Sequence, residues 1–98
     1  MDNGRDKQRQ PLTVIGRVRY GHGARDVTIL DLTEDGCRFH DRFGRIPPET
    51  AITVKIGPVG PIDAIVRWRD GEYSGIQFMQ PLHPAVFDHI RQHFDLRK

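Results

Sequence analysis

The two-residue period of a β-strand is plainest in residues 12–20, LTVIGRVRY. One side of that strand would carry Leu12, Val14, Gly16, Val18 and Tyr20, and the other Thr13, Ile15, Arg17 and Arg19. The glycine-rich residues 21–24 then predict a turn, and residues 26–32 predict a second strand. This part of the chain is therefore expected to form a β-hairpin.

The rest of the chain repeats this plan. Further strands are predicted at residues 37–40, 51–56, 62–69 and 73–79, with turns rich in Gly, Pro and Asp between them. In the fifth strand, Ile62, Ala64, Val66 and Trp68 alternate with Asp63, Ile65, Arg67 and Arg69. After Pro84, one face of a short amphipathic helix would carry Val86, Phe87, Ile90 and Phe94. Because closure removes exposed sheet edges, the sequence predicts an all-β fold, a six-stranded antiparallel β-barrel with a C-terminal helix.

Composition agrees with one small β-rich domain. A chain of 98 residues has room for a single core, and its 37% hydrophobic and 29% charged residues are typical of a globular protein. Val and Ile number 16, whereas Leu and Ala together number 9, which favours strands over helices.

No apolar run is long enough to cross a bilayer, and the first ten residues hold none that suits a signal peptide. With one cysteine the chain cannot form an internal disulfide, so we expect a cytoplasmic protein without membrane insertion.

Charge is unevenly distributed along the chain. Residues 1–25 carry six basic and two acidic side chains, a net charge of +4, while residues 26–98 carry −2. Arginine outnumbers lysine 12 to 3, and its planar donor fork fits phosphates and purine edges. We predict a flexible basic arm at residues 1–10 and a barrel domain at residues 11–96. An anion with flat parts would suit the arm, although such arms often serve only solubility.

Catalytic and metal sites find little support. Ser74 is the only serine and lies in a predicted strand outside any nucleophile motif, while Cys37 is expected to be a small core residue. His89 and His93 share a helix face but lack a third ligand, so we interpret them as solvent-facing. The sequence thus predicts no enzyme, no metal and no cofactor.

Two segments remain that could act together. Arg5 and Arg9 lie in the arm, and residues 31–36 link the second and third strands. In an antiparallel hairpin the start of the first strand lies beside the end of the second, so both segments reach the same end of the barrel. Asp31 and the Thr33 hydroxyl could then meet the donors of a guanine while the arginines hold phosphates or its O6/N7 edge. In the alternative interpretation, the Asp and Thr side chains only stabilise their own turn.

These residues resemble a known pair of motifs. Arg5-x-x-x-Arg9 followed by Asp31-x-Thr33-x-x-Gly36 is similar to the signature of the PilZ domain family, RxxxR and (Asp/Asn)-x-Ser-x-x-Gly. The resemblance continues through residues 65–68, 75–78 and 81–82, so it covers about residues 5–90. Thr33 departs from the usual Ser, keeping the hydroxyl and adding a methyl group.

The resemblance implies a six-stranded barrel that binds the bacterial second messenger cyclic dimeric GMP (cyclic di-GMP) and signals to motility, exopolysaccharide or surface machinery. It implies that Arg5 and Arg9 contact phosphates and guanine, that Asp31, Thr33 and Gly36 shape the guanine pocket, and that Arg38 and Trp68 are weaker candidates for its wall. The expected partners are cyclic di-GMP and an unidentified effector protein. A ligand-independent adaptor of the same fold is the alternative. A nucleic-acid-binding barrel is less favoured because the net charge is only +2, so no DNA or RNA partner is expected.

Overall fold

The computed structural model describes residues 10–97, in which six strands and one helix follow one another. They are β1 Gln10–Tyr20, β2 Gly23–Leu32, β3 Gly36–His40, β4 Ala51–Ile56, β5 Val59–Asp70, β6 Tyr73–Phe78 and α1 Pro84–His93. Every neighbouring pair is antiparallel, and the strands close in the order β1-β2-β3-β6-β5-β4, with β4 returning to β1. The predicted barrel with a C-terminal helix is confirmed.

Two turns are shorter than the sequence suggested. The β1–β2 turn consists of Gly21 and His22 alone, with Gly21 at a φ of 61°. The β4–β5 turn consists of Gly57 and Pro58, so β5 begins three residues before the predicted Ile62. Gly57 has a φ of 57°, a backbone conformation that side chains disfavour, and this allows a two-residue turn where a longer loop was expected.

The barrel interior is filled mainly by branched aliphatic side chains. Among those most fully enclosed are Val14, Val18, Ile29, Leu32, Val54, Ile56 and Val66, together with Phe39. Cys37 is also buried, as predicted. At the end where β1 starts, α1 buries Ile90 and packs Phe94 partly against the core. Within residues 10–97, no helix has the length and apolar character needed to span a membrane.

An ion pair lies at the opposite end of the barrel, where β2 starts and β3 ends. Asp41 is 1% exposed. Its carboxylate accepts hydrogen bonds from Arg25 Nε, at 3.0 Å to Oδ1 and 2.9 Å to Oδ2, and from Arg25 Nη2, at 2.6 Å to Oδ2. The Phe43 N–H donates to the same carboxylate at 3.0 Å. Burial by itself would raise the pKa of Asp41, but the hydrogen bonds and charge of Arg25 outweigh it and hold the pKa below its ordinary value. The carboxylate therefore stays ionised inside the fold.

Candidate functional site

The start of β1 lies beside the end of β2, as expected from the hairpin. Gln10 pairs with Leu32, and Pro11 pairs with Asp31. The first residues of β1 therefore lie next to the β2–β3 loop. Arg5 and Arg9 lie outside the described residues, so their position opposite this loop stays a prediction.

A bulge in β2 turns Asp31 away from the core to the face of Arg38, where it stays buried at 7% exposure. The β2–β3 register pairs Ile29 with Phe39 and then Asp31 with Arg38, leaving Leu30 as an extra residue. In a regular strand Asp31 would share the inward face of Ile29, so the bulge turns Asp31 to the face that Arg38 occupies. Its carboxylate accepts hydrogen bonds from the Arg38 backbone N–H at 3.2 Å and from Arg38 Nε at 3.1 Å. The structure thus brings Asp31 and Arg38 together.

Thr33 and Gly36 have clear structural roles within the loop. The Thr33 hydroxyl accepts hydrogen bonds from the backbone N–H groups of Asp35 at 3.0 Å and Gly36 at 3.1 Å. This is the turn-stabilising arrangement that the alternative interpretation of the loop predicts. Gly36 begins β3 so close to β6 that a Cβ would lie 2.1 Å from the Ile76 carbonyl oxygen. Both residues therefore fix the shape of the loop.

A second bulge turns Trp68 outward. The β5–β6 register pairs Val66 with Ile76 and then Trp68 with Gly75, so Arg67 is the extra residue. The sequence alternation placed Trp68 on the same face as Val66, and this is wrong: Val66 is fully buried, whereas Trp68 is 36% exposed. The extra residue shifts the alternation by one and presents the indole to solvent.

Trp68 and Arg38 lie on one outer surface, on either side of Gly75. We call this surface the β3–β6–β5 wall and define it as Arg38, Tyr73, Gly75 and Trp68. Arg38 and Trp68 both pair with Gly75, so the three residues form a row across the strands. The indole lies against Gly75, where a Cβ would be 2.2 Å from Trp68 Nε1. The Arg38 guanidinium carbon is 5.6 Å from the centroid of the Tyr73 ring. One cation and two aromatic rings thus share this wall beside the Asp31 carboxylate.

Such a wall can bind a flat, anionic ligand. A guanidinium donates paired hydrogen bonds to phosphate oxygens, and aromatic faces stack on planar rings. A carboxylate accepts hydrogen bonds from ring N–H groups. Within residues 10–97, no three His, Cys, Asp or Glu side chains are grouped so as to hold a metal ion.

Sequence reasoning did not identify Tyr73 and Gly75, although a signal was present. The two-residue turn at Gly71 and Glu72 makes Asp70 the partner of Tyr73, and counting back from it places Trp68 opposite Gly75. A glycine opposite a tryptophan leaves room for the indole to lie on the strand. Nothing comparable in the sequence marks the bulge at Arg67.

A comparison with known families matches nearly the whole chain. A family model described as PilZ domain matches residues 3–95, a range that includes the RxxxR and DxTxxG patterns, the barrel and the helix. A comparison with curated proteins gave no match.

Proposed function

Because this chain belongs to the PilZ domain family, we propose that it is a non-catalytic receptor for cyclic di-GMP that passes the signal to a partner protein. The observation that carries the proposal is that two bulges turn Asp31 and Trp68 to the face of the barrel on which Arg38 lies, with Asp31 paired to Pro11 at the start of β1. The proposal places the receptor in the bacterial cytoplasm.

The ligand would be held from two sides. Arg5 and Arg9 of the arm would bind the two phosphates, because a guanidinium can donate two parallel hydrogen bonds to the oxygens of one phosphate. A guanine would lie along the β3–β6–β5 wall, stacking on an aromatic side chain, with its ring N–H groups directed to the Asp31 carboxylate. Arg38 already bonds Asp31 and would hold that carboxylate in position for the base.

Thr33 and Gly36 would act through the shape of the loop. The Thr33 hydroxyl accepts hydrogen bonds from two backbone N–H groups of the loop. It would therefore contribute to affinity indirectly, by holding the loop in the conformation that binds the guanine. The arm must also become ordered when the ligand binds, and the lost conformational freedom lowers the affinity.

Titration calorimetry with cyclic di-GMP tests the proposal. Each charge-assisted hydrogen bond contributes roughly 1.5–3 kcal/mol, so Arg9→Ala should weaken binding about 10- to 100-fold. Arg19→Ala is the matched control, because Arg19 is an exposed arginine of β1 that pairs with Ala24 and Thr53 instead of the loop. Trp68 is the only tryptophan, so its fluorescence gives a second readout. Absence of both binding heat and a fluorescence change in the wild-type chain would contradict the proposal.

A ligand-independent adaptor is the second candidate. This candidate is favoured by Thr33, because its hydroxyl already accepts hydrogen bonds from two backbone N–H groups of its own loop. An adaptor should bind its partner equally well with and without cyclic di-GMP and should tolerate the double change Arg5→Ala with Arg9→Ala. For a receptor, cyclic di-GMP should change partner binding, and the double change should abolish that effect.

A further inference from the structure

The loop between β3 and β4, residues 41–50, presents a phenylalanine to solvent. Phe43 is 57% exposed, and its ring is flanked by two guanidinium groups, that of Arg25 at 5.5 Å and that of Arg42 at 5.9 Å from the ring centroid. Single exposed apolar residues are common on protein surfaces. The inference therefore depends on how the loop is held and on which charges surround it.

The loop is fixed to the barrel on both sides of Phe43. On one side, the buried Asp41 carboxylate accepts the Phe43 N–H, and the Asp41 N–H donates to the Glu72 carbonyl at 2.8 Å. On the other side, Gly44 lies against the β5–β6 turn and accepts a hydrogen bond from the Arg69 guanidinium. These contacts hold Phe43 away from the core, so its exposure is built into the fold.

Within the part of the chain that the structure describes, the loop and the β5 strand beside it also carry arginines that no carboxylate pairs. Arg42 and Arg45 are exposed and have no carboxylate partner among residues 10–97, and Arg69 reaches only a carbonyl oxygen within that range. The carboxylates of the loop are already engaged, Asp41 with Arg25 and Glu49 with Arg67 at 3.0 Å. At the adjoining β5–β6 turn, Glu72 bonds His40 at 2.7 Å, and Asp70 is the other acid beside the turn. Among the described residues, Arg42, Arg45 and Arg69 thus outnumber Glu72 and Asp70, the two nearby acids that no arginine pairs, and the surface around Phe43 carries a small positive excess.

We propose that Phe43, together with Arg42, Arg45 and Arg69, forms a docking surface for a partner protein that presents an apolar pocket bordered by carboxylates. Aromatic and arginine side chains dominate the binding energy of protein interfaces. A loop already held in one conformation loses little entropy on binding. The excess of arginine selects an acidic partner and speeds its encounter.

This surface extends the relay step of the proposed function and rests on that function for the existence of a partner. The loop contacts the β5–β6 turn through Gly44 and Asp41, and the strands that this turn joins carry Trp68 and Tyr73. A ligand on the β3–β6–β5 wall would therefore lie on the same hairpin that supports the loop. Docking and ligand binding nevertheless involve different side chains and can be tested separately.

Photo-crosslinking in the source organism identifies the partner. Benzoylphenylalanine is introduced at position 43 of the full chain and, as a control, at position 79, because Met79 is equally exposed at 58% but lies at the end of β6. The expected result is a protein that crosslinks from position 43 and not from position 79. No crosslinked protein specific to position 43, or a second copy of this chain or a nucleic acid in its place, would overturn the proposal.

Affinity measurements on the purified partner complete the test. Phe43→Ala should weaken its binding about 10- to 100-fold, and Arg42→Glu with Arg45→Glu should weaken it and remove most of its salt dependence. Met79→Ala is the matched control. Unchanged affinity in the Phe43 and arginine variants would refute the docking surface. Calorimetry with cyclic di-GMP on Phe43→Ala, expected to match the wild type, keeps a failure of docking distinct from a failure of ligand binding.

Discussion

At the scale of single residues, the position of the tryptophan depends on a glycine. Gly75→Ala would place a methyl group where Trp68 Nε1 now lies, so the indole must move off β6. We expect a loss of about 1–3 kcal/mol in the free energy of unfolding, a shifted tryptophan emission and weaker binding of cyclic di-GMP. Gly23→Ala is the control, because the nearest atom to its added Cβ is 3.9 Å away. Equal emission spectra for Gly75→Ala and wild type would disprove this packing.

Thr33 allows a second test at this scale. Thr33→Val keeps the side-chain shape and removes the acceptor of the Asp35 and Gly36 N–H groups, so we expect a loss of about 1–3 kcal/mol in urea unfolding. Thr33→Ser retains the hydroxyl and should remain within about 0.5 kcal/mol of wild type. If the valine variant is as stable as the serine variant, the hydroxyl does not hold the loop.

At the scale of elements, the segment after α1 is tied to the start of β1. Asp95 accepts hydrogen bonds from the Thr13 N–H at 3.0 Å and from Arg97, while the Leu96 N–H donates to the Thr13 carbonyl at 2.7 Å. The hydrogen bond from the Arg97 side chain, helped by backbone N–H donors, lowers the pKa of Asp95 to about 2 from its ordinary 3.8. The ionised carboxylate therefore stabilises the folded chain.

That shift predicts how stability depends on pH. Because the folded-state pKa is below the unfolded value, the stabilisation is complete above pH 3.8 and is lost as the pH falls toward about 2. Urea unfolding of wild type and Asp95→Asn should therefore differ most above pH 3.8 and converge toward about pH 2. Asp26→Asn is the control, since both side chains of the Arg17–Asp26 pair are exposed to solvent. A wild-type advantage that stays constant over this range would exclude Asp95 as its source.

The strands themselves were largely predictable, whereas their bulges were not. Alternation and turn residues identified all six strands because side chains on a strand point to opposite faces. An extra residue at Leu30 or Arg67 changes the facing of Asp31 and Trp68 through pairing with another strand, which local sequence does not specify. The candidate site could therefore be named from motifs, but its geometry could not be derived from them.

At the scale of the whole molecule, the barrel end opposite the helix contains a buried ion pair. Arg25→Ala would leave the Asp41 carboxylate buried without its cation, and we expect the free energy of unfolding to fall by about 3 kcal/mol. Arg17→Ala removes a surface ion pair of the same hairpin and should cost less than about 1 kcal/mol. Chemical denaturation measures the free energy of unfolding of both variants. Equal losses would show that the buried Arg25–Asp41 pair stabilises the fold no more than the surface Arg17–Asp26 pair does.

The sequence by itself determined the fold class, the order of the elements, the buried face of the helix and the motifs that mark the family, because these follow from side-chain period and local turn chemistry. Tertiary structure alone decided that Asp31 and Trp68 turn to the face of Arg38 and that a loop held by hydrogen bonds presents Phe43. The physical reason is that these features depend on strand pairing and on contacts between the loop and the β5–β6 turn, and both join residues far apart in the chain.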